Sequence, residues 1–162
     1  MKRIIVATLM ALAGTSAFAL ETGPGVKITP LLRTETTWDG QRIVYPAGPP
    51  QVTAMTIEIA PGAETGWHVH PVPSFGFVLE GSLEVVLKDG RKKRFEQGQA
   101  IPEVVDTTHN GRNVGTKPLK LLVVYAGTVE KPISIKDDMV KADEKAPAKA
   151  EPDKAKPDKK TP

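Results

Sequence analysis

The sequence predicts an all-β fold, either a sandwich or a closed barrel of short strands. Three observations lead there. Apolar and polar residues alternate with a period of two in several short runs, Gly, Pro, Asp and Asn turn signals punctuate those runs, and the central region carries no helical period. Many short strands with regular turns bury one face of each strand by closing into a barrel or stacking as two sheets.

The N-terminus is read first because it sets the compartment. Met1-Lys2-Arg3 is basic, Ile4 to Ala13 is apolar, and Ala17-Phe18-Ala19 places small residues at the positions a signal peptidase reads. Residues 1–19 are therefore predicted to be a secretory signal, cleaved after Ala19, giving a periplasmic or secreted chain. The apolar run is shorter than the roughly 20 residues that span a bilayer, so no transmembrane segment is expected after cleavage.

Residues 20–51 read as N-terminal strands and a linker. Leu31 to Trp38, an Asp39-Gly40 turn and Gln41 to Tyr45 suggest a hairpin, followed by Pro46 and Gly48-Pro49-Pro50. The barrel is assigned to residues 52–135. In Met55-Thr56-Ile57-Glu58-Ile59 the alternation puts Met55, Ile57 and Ile59 on one face, and Pro61-Gly62 ends the strand. Phe75 to Leu79 and Leu83 to Leu87 are broken at Glu80-Gly81-Ser82, and Asp89-Gly90 turns into Arg91 to Phe95, a predicted β-meander. Ala100 to Val105 and Leu119 to Tyr125 supply further strands, separated by Gly111 and Gly115-Thr116-Lys117-Pro118. Trp67, Phe75 and Phe77 are expected to pack the barrel. Residues 136–162 shift to Lys, Pro, Ala, Asp and Glu, too polar to offset ordering entropy, and are expected to form a disordered tail.

Charge and composition exclude several functions. The net charge is +3, but between Leu20 and Ile135 there are 12 Lys+Arg against 12 Asp+Glu, so nothing favours a nucleic-acid partner. Cysteine is absent, which removes disulfides, thiol nucleophiles and thiolate ligands. The cluster Arg91-Lys92-Lys93-Arg94 falls on a returning hairpin strand, where charge discourages edge-to-edge pairing. No activated nucleophile, Gly-rich phosphate loop or paired catalytic carboxylate is visible.

All three histidines of the chain fall into one pattern. His68 and His70 are two apart, so on a strand both imidazoles leave the same face and can reach one ion. His109 follows after four predicted strands, a separation that can return it beside the pair in a barrel. Imidazole suits Fe, Mn, Zn, Ni and Cu, and three of them leave coordination positions open, as catalytic sites do.

The glycine and asparagine spacing around these histidines resembles the cupin superfamily, in its small single-domain form. Gly62, His68, His70 and Gly81 match the first cupin motif, and Gly98, His109 and Asn113 match the second, the resemblance covering Val52 to Val129. It implies a double-stranded β-helix, a jelly-roll barrel, with a divalent metal held by His68, His70 and His109. It also implies a small-molecule ligand or substrate and, by analogy, a homodimer to which the hairpin from Leu31 to Tyr45 could contribute.

Two departures stand out. Ser74 occupies the position of the metal-ligating Glu of the first motif, and Val104 and Asp106 replace the Pro and inner Gly of the second. The site is then either three-histidine or recruits another acid. Glu103, inside the apolar stretch Ile101 to Val105, is the candidate catalytic carboxylate, as general base or fourth ligand, unless strand alternation points it to solvent. Glu64, on a turn before His68, is a weaker candidate, and Asn113 is assigned either to loop support or to orienting a ligand. Two functional readings follow. One is a small metal enzyme, a dioxygenase or isomerase among the options, and the other is a non-catalytic barrel of the cell envelope that binds a small molecule or metal. A metal-free structural barrel is the third.

Overall fold

The computed structural model describes residues 23–139. The predicted signal, residues 1–19, and residues 140–162 of the tail predicted over 136–162 lie outside the described residues, while Lys136, at the start of that predicted tail, is in a strand. Of the described residues, 23–30 belong to one unit and 31–139 to another. In the first, Gly23 to Val26 make an exposed turn closed by Val26 N donating to the Gly23 carbonyl at 3.2 Å.

Among the described residues the second unit is a double-stranded β-helix of nine strands. They are β1 (Pro50–Ile59), β2 (His68–Val69), β3 (Ser74–Glu80), β4 (Ser82–Leu87), β5 (Lys92–Glu96), β6 (Ala100–Pro102), β7 (His109–Asn113), β8 (Leu119–Thr128) and β9 (Ile135–Lys136). One sheet has the order β1-β8-β3-β6 and the other β5-β4-β7-β2-β9, and the pairings are antiparallel. Among the described residues no helix is long and apolar enough to cross a membrane.

Period-two patterning decides what is inside. Leu119, Leu121, Val123 and Tyr125 of β8 turn inward and meet Leu83 and Val85 of β4, with Val78 of β3 and Ile101 of β6 completing the core. Val78 and Ile101 are fully buried. At roughly 25 cal/mol per Å2, each such side chain contributes on the order of 1.5–3 kcal/mol.

Four sequence expectations are corrected. β3 and β4 are consecutive but do not pair: β3 lies between β8 and β6, and β4 between β5 and β7, so only β4 and β5 form the expected hairpin. The chain changes sheets at Glu80-Gly81-Ser82, where Gly81 takes φ +85° against Leu119 and a register irregularity falls between Val78 and Glu80. The strand expected over Ala100 to Val105 stops at Pro102, whose nitrogen has no hydrogen to donate. The expected long hairpin over 31–45 reduces to one bridge, Thr36 with Arg42, closed by Thr37 N to the Gln41 carbonyl at 2.8 Å. Phe75 and Phe77 lie on the outer face of β3, because Ser74, Gly76 and Val78 take the inner one.

The basic cluster sits on edge strand β5 and is paired locally: Arg91 with Asp89 at 2.7 Å, Lys92 with Glu84 at 3.6 Å and Arg94 with Glu96 at 2.6 Å. Asp106 takes φ +50°, the left-handed conformation in which Asp replaces Gly at modest cost.

Gly81 is the most demanding turn. A Cβ there would meet Leu119 Cα at 3.0 Å and the Pro118 carbonyl at 3.2 Å, on top of the positive φ. Gly81→Ala is expected to lower stability by about 2–4 kcal/mol, read as a lower urea midpoint with an unchanged slope. A midpoint equal to wild type would show that the sheet-to-sheet crossing tolerates a side chain.

Candidate metal centre

Topology gathers the three histidines. β2 runs between β7 and β9, with His68 opposite both His109 and Lys136. His70 follows two residues later and projects to the same side, and His109 opens β7 opposite Leu87 of β4. Ring centroids are 4.7 Å apart for His68 and His70, 4.3 Å for His68 and His109, and 4.9 Å for His70 and His109. One nitrogen from each imidazole lies within 4.8 Å of the other two.

The outward nitrogens define the tautomers. His68 Nδ1 lies 2.8 Å from the Gly66 carbonyl, His70 Nδ1 2.8 Å from the Ile133 carbonyl, and His109 Nδ1 2.8 Å from the Thr107 carbonyl. A carbonyl oxygen can only accept, so each Nδ1 carries the proton and each Nε2 presents a lone pair. Nε2 of His68 and Nε2 of His70 are 3.2 Å apart. That is about the spacing of two imidazole nitrogens bound at ~2.0–2.1 Å to one ion. Without a shared cation the two lone pairs repel, so the donor set fits a divalent metal.

Burial keeps two of the rings neutral. His70 is lowered to about 3, first by burial and then by the neighbouring His109 and His68. His109 is lowered to about 4, chiefly by burial, against the opposing bond to Thr107. The neutral form is the one that binds an ion, so these ligands need not lose a proton near pH 7.

Behind the rings lies a cavity of about 50 Å3, lined by apolar Leu83, Val85, Leu121 and Val123 and by polar Glu103 and Tyr125. It has room for on the order of three or four waters. In front is an open cleft of about 590 Å3 walled by Trp67, Ser134, Lys136 and Asp137. His68, His70 and Tyr125 line both, so the His68 and His70 rings stand where the small chamber meets the large cleft, and His109 lines the chamber.

Glu103 turns into the chamber and away from solvent, 9% exposed. Phe75 pairs with Pro102 across β3 and β6, and Glu103 N donates to the Ser74 carbonyl at 3.0 Å, so Glu103 stands opposite Ser74. Ser74 in turn stands opposite Tyr125 on β8. Opposite residues of antiparallel strands share a face, so Glu103, Ser74 and Tyr125 form one inward row. Burial raises the Glu103 carboxyl to about 7, and burial together with the Glu103 charge raises the Tyr125 hydroxyl to about 12. Glu103 Oε2 and Ser74 Oγ are buried without a hydrogen-bond partner among the described residues. A carboxyl, that of Glu103, thus faces Ser74 from the adjacent strand. It lines the histidine chamber without belonging to the three-nitrogen cluster.

The other candidates are structural. Glu64 is ion-paired to Arg112 at 2.9 Å and accepts from Asn110 Nδ2 at 2.6 Å. Asn113 clasps the loop after β7, with Nδ2 donating to the Ile59 and Lys117 carbonyls and Oδ1 accepting from Gly115 N. Trp67 lies in the cleft wall with Lys88 Nζ 3.9 Å from its ring centroid. Sequence reasoning did not single out Tyr125 or Ile133. Tyr125 was visible as the inward end of the β8 alternation and stacks edge-on to His70 at 5.2 Å. Ile133 acts through its backbone carbonyl, which no residue-type signal reports.

The family model described as Cupin domain matches residues 55–125. The matched segment, residues 55–125, is a cupin domain. Similar solved structures include the DMSP lyase DddQ from Ruegeria pomeroyi DSS-3, with a TM-score of 0.47 and 21% identity over 53% of this chain and 43% of that one. An oxalate decarboxylase from Lactobacillus farciminis in a formate complex has a TM-score of 0.48 and 24% identity over 57% of this chain and 28% of that one. A Klebsiella pneumoniae protein with a double-stranded β-helix domain has a TM-score of 0.46 and 19% identity over 57% of this chain and 88% of that one. The chain therefore spans less than half the length of the first two. A comparison with curated proteins finds no match.

The buried groups make stability pH-dependent in opposite senses. With folded values of about 3 and 4 against 6.5, His70 and His109 bind fewer protons folded than unfolded, so their contribution is lost as pH falls below 6.5. Glu103, at about 7 against 4.5, binds more protons folded, so its contribution is lost as pH rises from 4.5 to 7. Urea midpoints of the metal-free protein are expected to fall on acidification below pH 6.5. Glu103→Gln should steepen that fall between pH 4.5 and 6.5 and raise the midpoint at pH 8. Superimposable pH profiles for the two proteins would remove Glu103 from the titrating groups.

Proposed function

We propose that this chain is an exported, metal-dependent cupin of dioxygenase or isomerase type acting on a small oxygen-bearing molecule, with His68, His70 and His109 as the ligands. The observation that carries this reading is the set of three Nδ1 to carbonyl bonds, which leaves three Nε2 lone pairs facing one another. When bound, a divalent ion (Fe, Mn, Zn, Ni or Cu) supplies Lewis acidity at a substrate oxygen, and oxygen chemistry if it is redox-active.

The chain's own residues supply the rest. Glu103 takes a proton at Oε2 and returns it, its value of about 7 suiting it to either role near neutral pH. Ser74 Oγ orients a polar group of the substrate beside it, and the apolar walls exclude bulk water. Chamber size limits the reacting group to a few heavy atoms, while the cleft accepts the remainder. The basic, apolar and Ala-Phe-Ala succession over residues 1–19 supports export, which a mature N-terminus at Leu20 by intact mass would test.

A second reading, a non-catalytic barrel that holds metal or a small ligand, is favoured by Ser74 standing where the first motif resembles one with a ligating Glu. Elemental analysis and turnover separate the two. Under the enzyme reading, wild type carries near-stoichiometric metal, His68→Ala and His109→Ala lose it, and Glu103→Gln keeps it while turnover of a carbonyl, enol or sugar substrate drops about 100-fold or more. Metal retained with no turnover across such a panel would support the second reading. No metal after reloading with each ion would sink both metal readings.

A further inference from the structure

The family match ends at residue 125, yet the segment after β8 turns back onto the histidines. β9 pairs with β2, Ile135 opposite Val69 and Lys136 opposite His68. Asp137 N donates to the Trp67 carbonyl at 3.1 Å, extending the pairing by one bond. Two residues before β9, the Ile133 carbonyl accepts the Nδ1 proton of His70 at 2.8 Å, while its side chain packs against the core. The Asp137 carboxylate fastens the far end, 3.3 Å from Lys88 Nζ and 3.4 Å from Thr108 Oγ1.

β2 has only two residues, and its single register pair with β7 is His68 with His109. A strand that short has little stability with one partner. Remove β9, and His68 sits on an edge with its backbone open to water, while His70 loses the acceptor that defines its tautomer. An imidazole free to move its proton between nitrogens presents the Nε2 lone pair only part of the time. Second-sphere acceptors of this kind typically change metal affinity by about 10–100-fold.

We infer that residues 131–139, outside the matched cupin segment, form a strap that is a working part of the metal centre: β9 holds the His68 strand and the Ile133 carbonyl sets the His70 tautomer. Ser134, Lys136 and Asp137 of the same strap wall the outer cleft, so it also shapes the entrance that a substrate must pass. Ile133 and Asp137 are positioning residues in this scheme and touch no reacting atom.

The inference rests on the metal reading for its consequence but has a test independent of it. Nitrogen-15 NMR of the metal-free protein reads the His70 tautomer directly, and competition against a chromophoric chelator reads Co2+ affinity. The protein truncated after Glu130, and full-length Ile135→Pro, which removes a β9 amide hydrogen, should each give a His70 signal averaged between tautomers. Both should also bind Co2+ about 10–100-fold more weakly, with the far-ultraviolet β signature retained. If the truncated chain fails to fold, Ile135→Pro carries the test. A His70 held as the Nδ1–H tautomer in the folded variants, with wild-type Co2+ affinity, would overturn the inference. Tautomer averaging without any Co2+ binding in wild type would uphold the strap and sink the metal reading.

Discussion

Three hydrogen bonds from imidazole Nδ1 to backbone carbonyls organise this protein. Each is short, and each acceptor belongs to a different piece of chain: Gly66 before β2, Thr107 before β7 and Ile133 before β9. Because a carbonyl cannot donate, the bonds commit all three rings to one tautomer, and the barrel then aims the bare nitrogens at a common point. Buried lone pairs facing one another are unfavourable unless something positive lies between them. The fold tolerates that arrangement because the surrounding strands are held by their ladders and by apolar packing that does not depend on the site.

The chamber behind the rings follows from the same economy of position. Glu103, Ser74 and Tyr125 occupy one row across β6, β3 and β8 and deliver polar groups into an otherwise hydrocarbon space. A carboxyl in such surroundings gives up charge rather than remain unpaired, and its raised value reflects burial with no compensating cation nearby. Glu103 follows β6 directly and faces Ser74 across the row. It lies on the chamber wall, outside the group of three histidine nitrogens.

Much of this was legible in the residues. The period-two runs located most of the long strands, and the spacing of His68, His70 and His109 among Gly62, Gly81, Gly98 and Asn113 pointed to their meeting. Glu103 stood out because a lone carboxylate in Ile101 to Val105 has an electrostatic cost that needs a reason. The meander did not hold, because consecutive strands joined by a tight Gly turn pair only if the turn keeps them in one plane. Gly81 instead sends the chain to the other sheet. Phe75 and Phe77 were assigned to the interior on hydrophobicity alone. The smaller Ser74 and Gly76 own the inner face, and Ile101 lies within 3.2 Å of where a Gly76 Cβ would be.

What the sequence by itself determined is local and periodic: strand formation, turn positions, the absence of thiol chemistry and the identity of the imidazoles. Those depend on nearest neighbours along the chain and on side-chain chemistry, both written residue by residue. Tertiary structure alone decided which strands are partners, that Glu103 faces inward opposite Ser74, and that a carbonyl at Ile133 orients His70 from 63 positions away. Such choices are made by backbone groups common to all residues and by long-range packing. No side-chain pattern announces where a carbonyl will end.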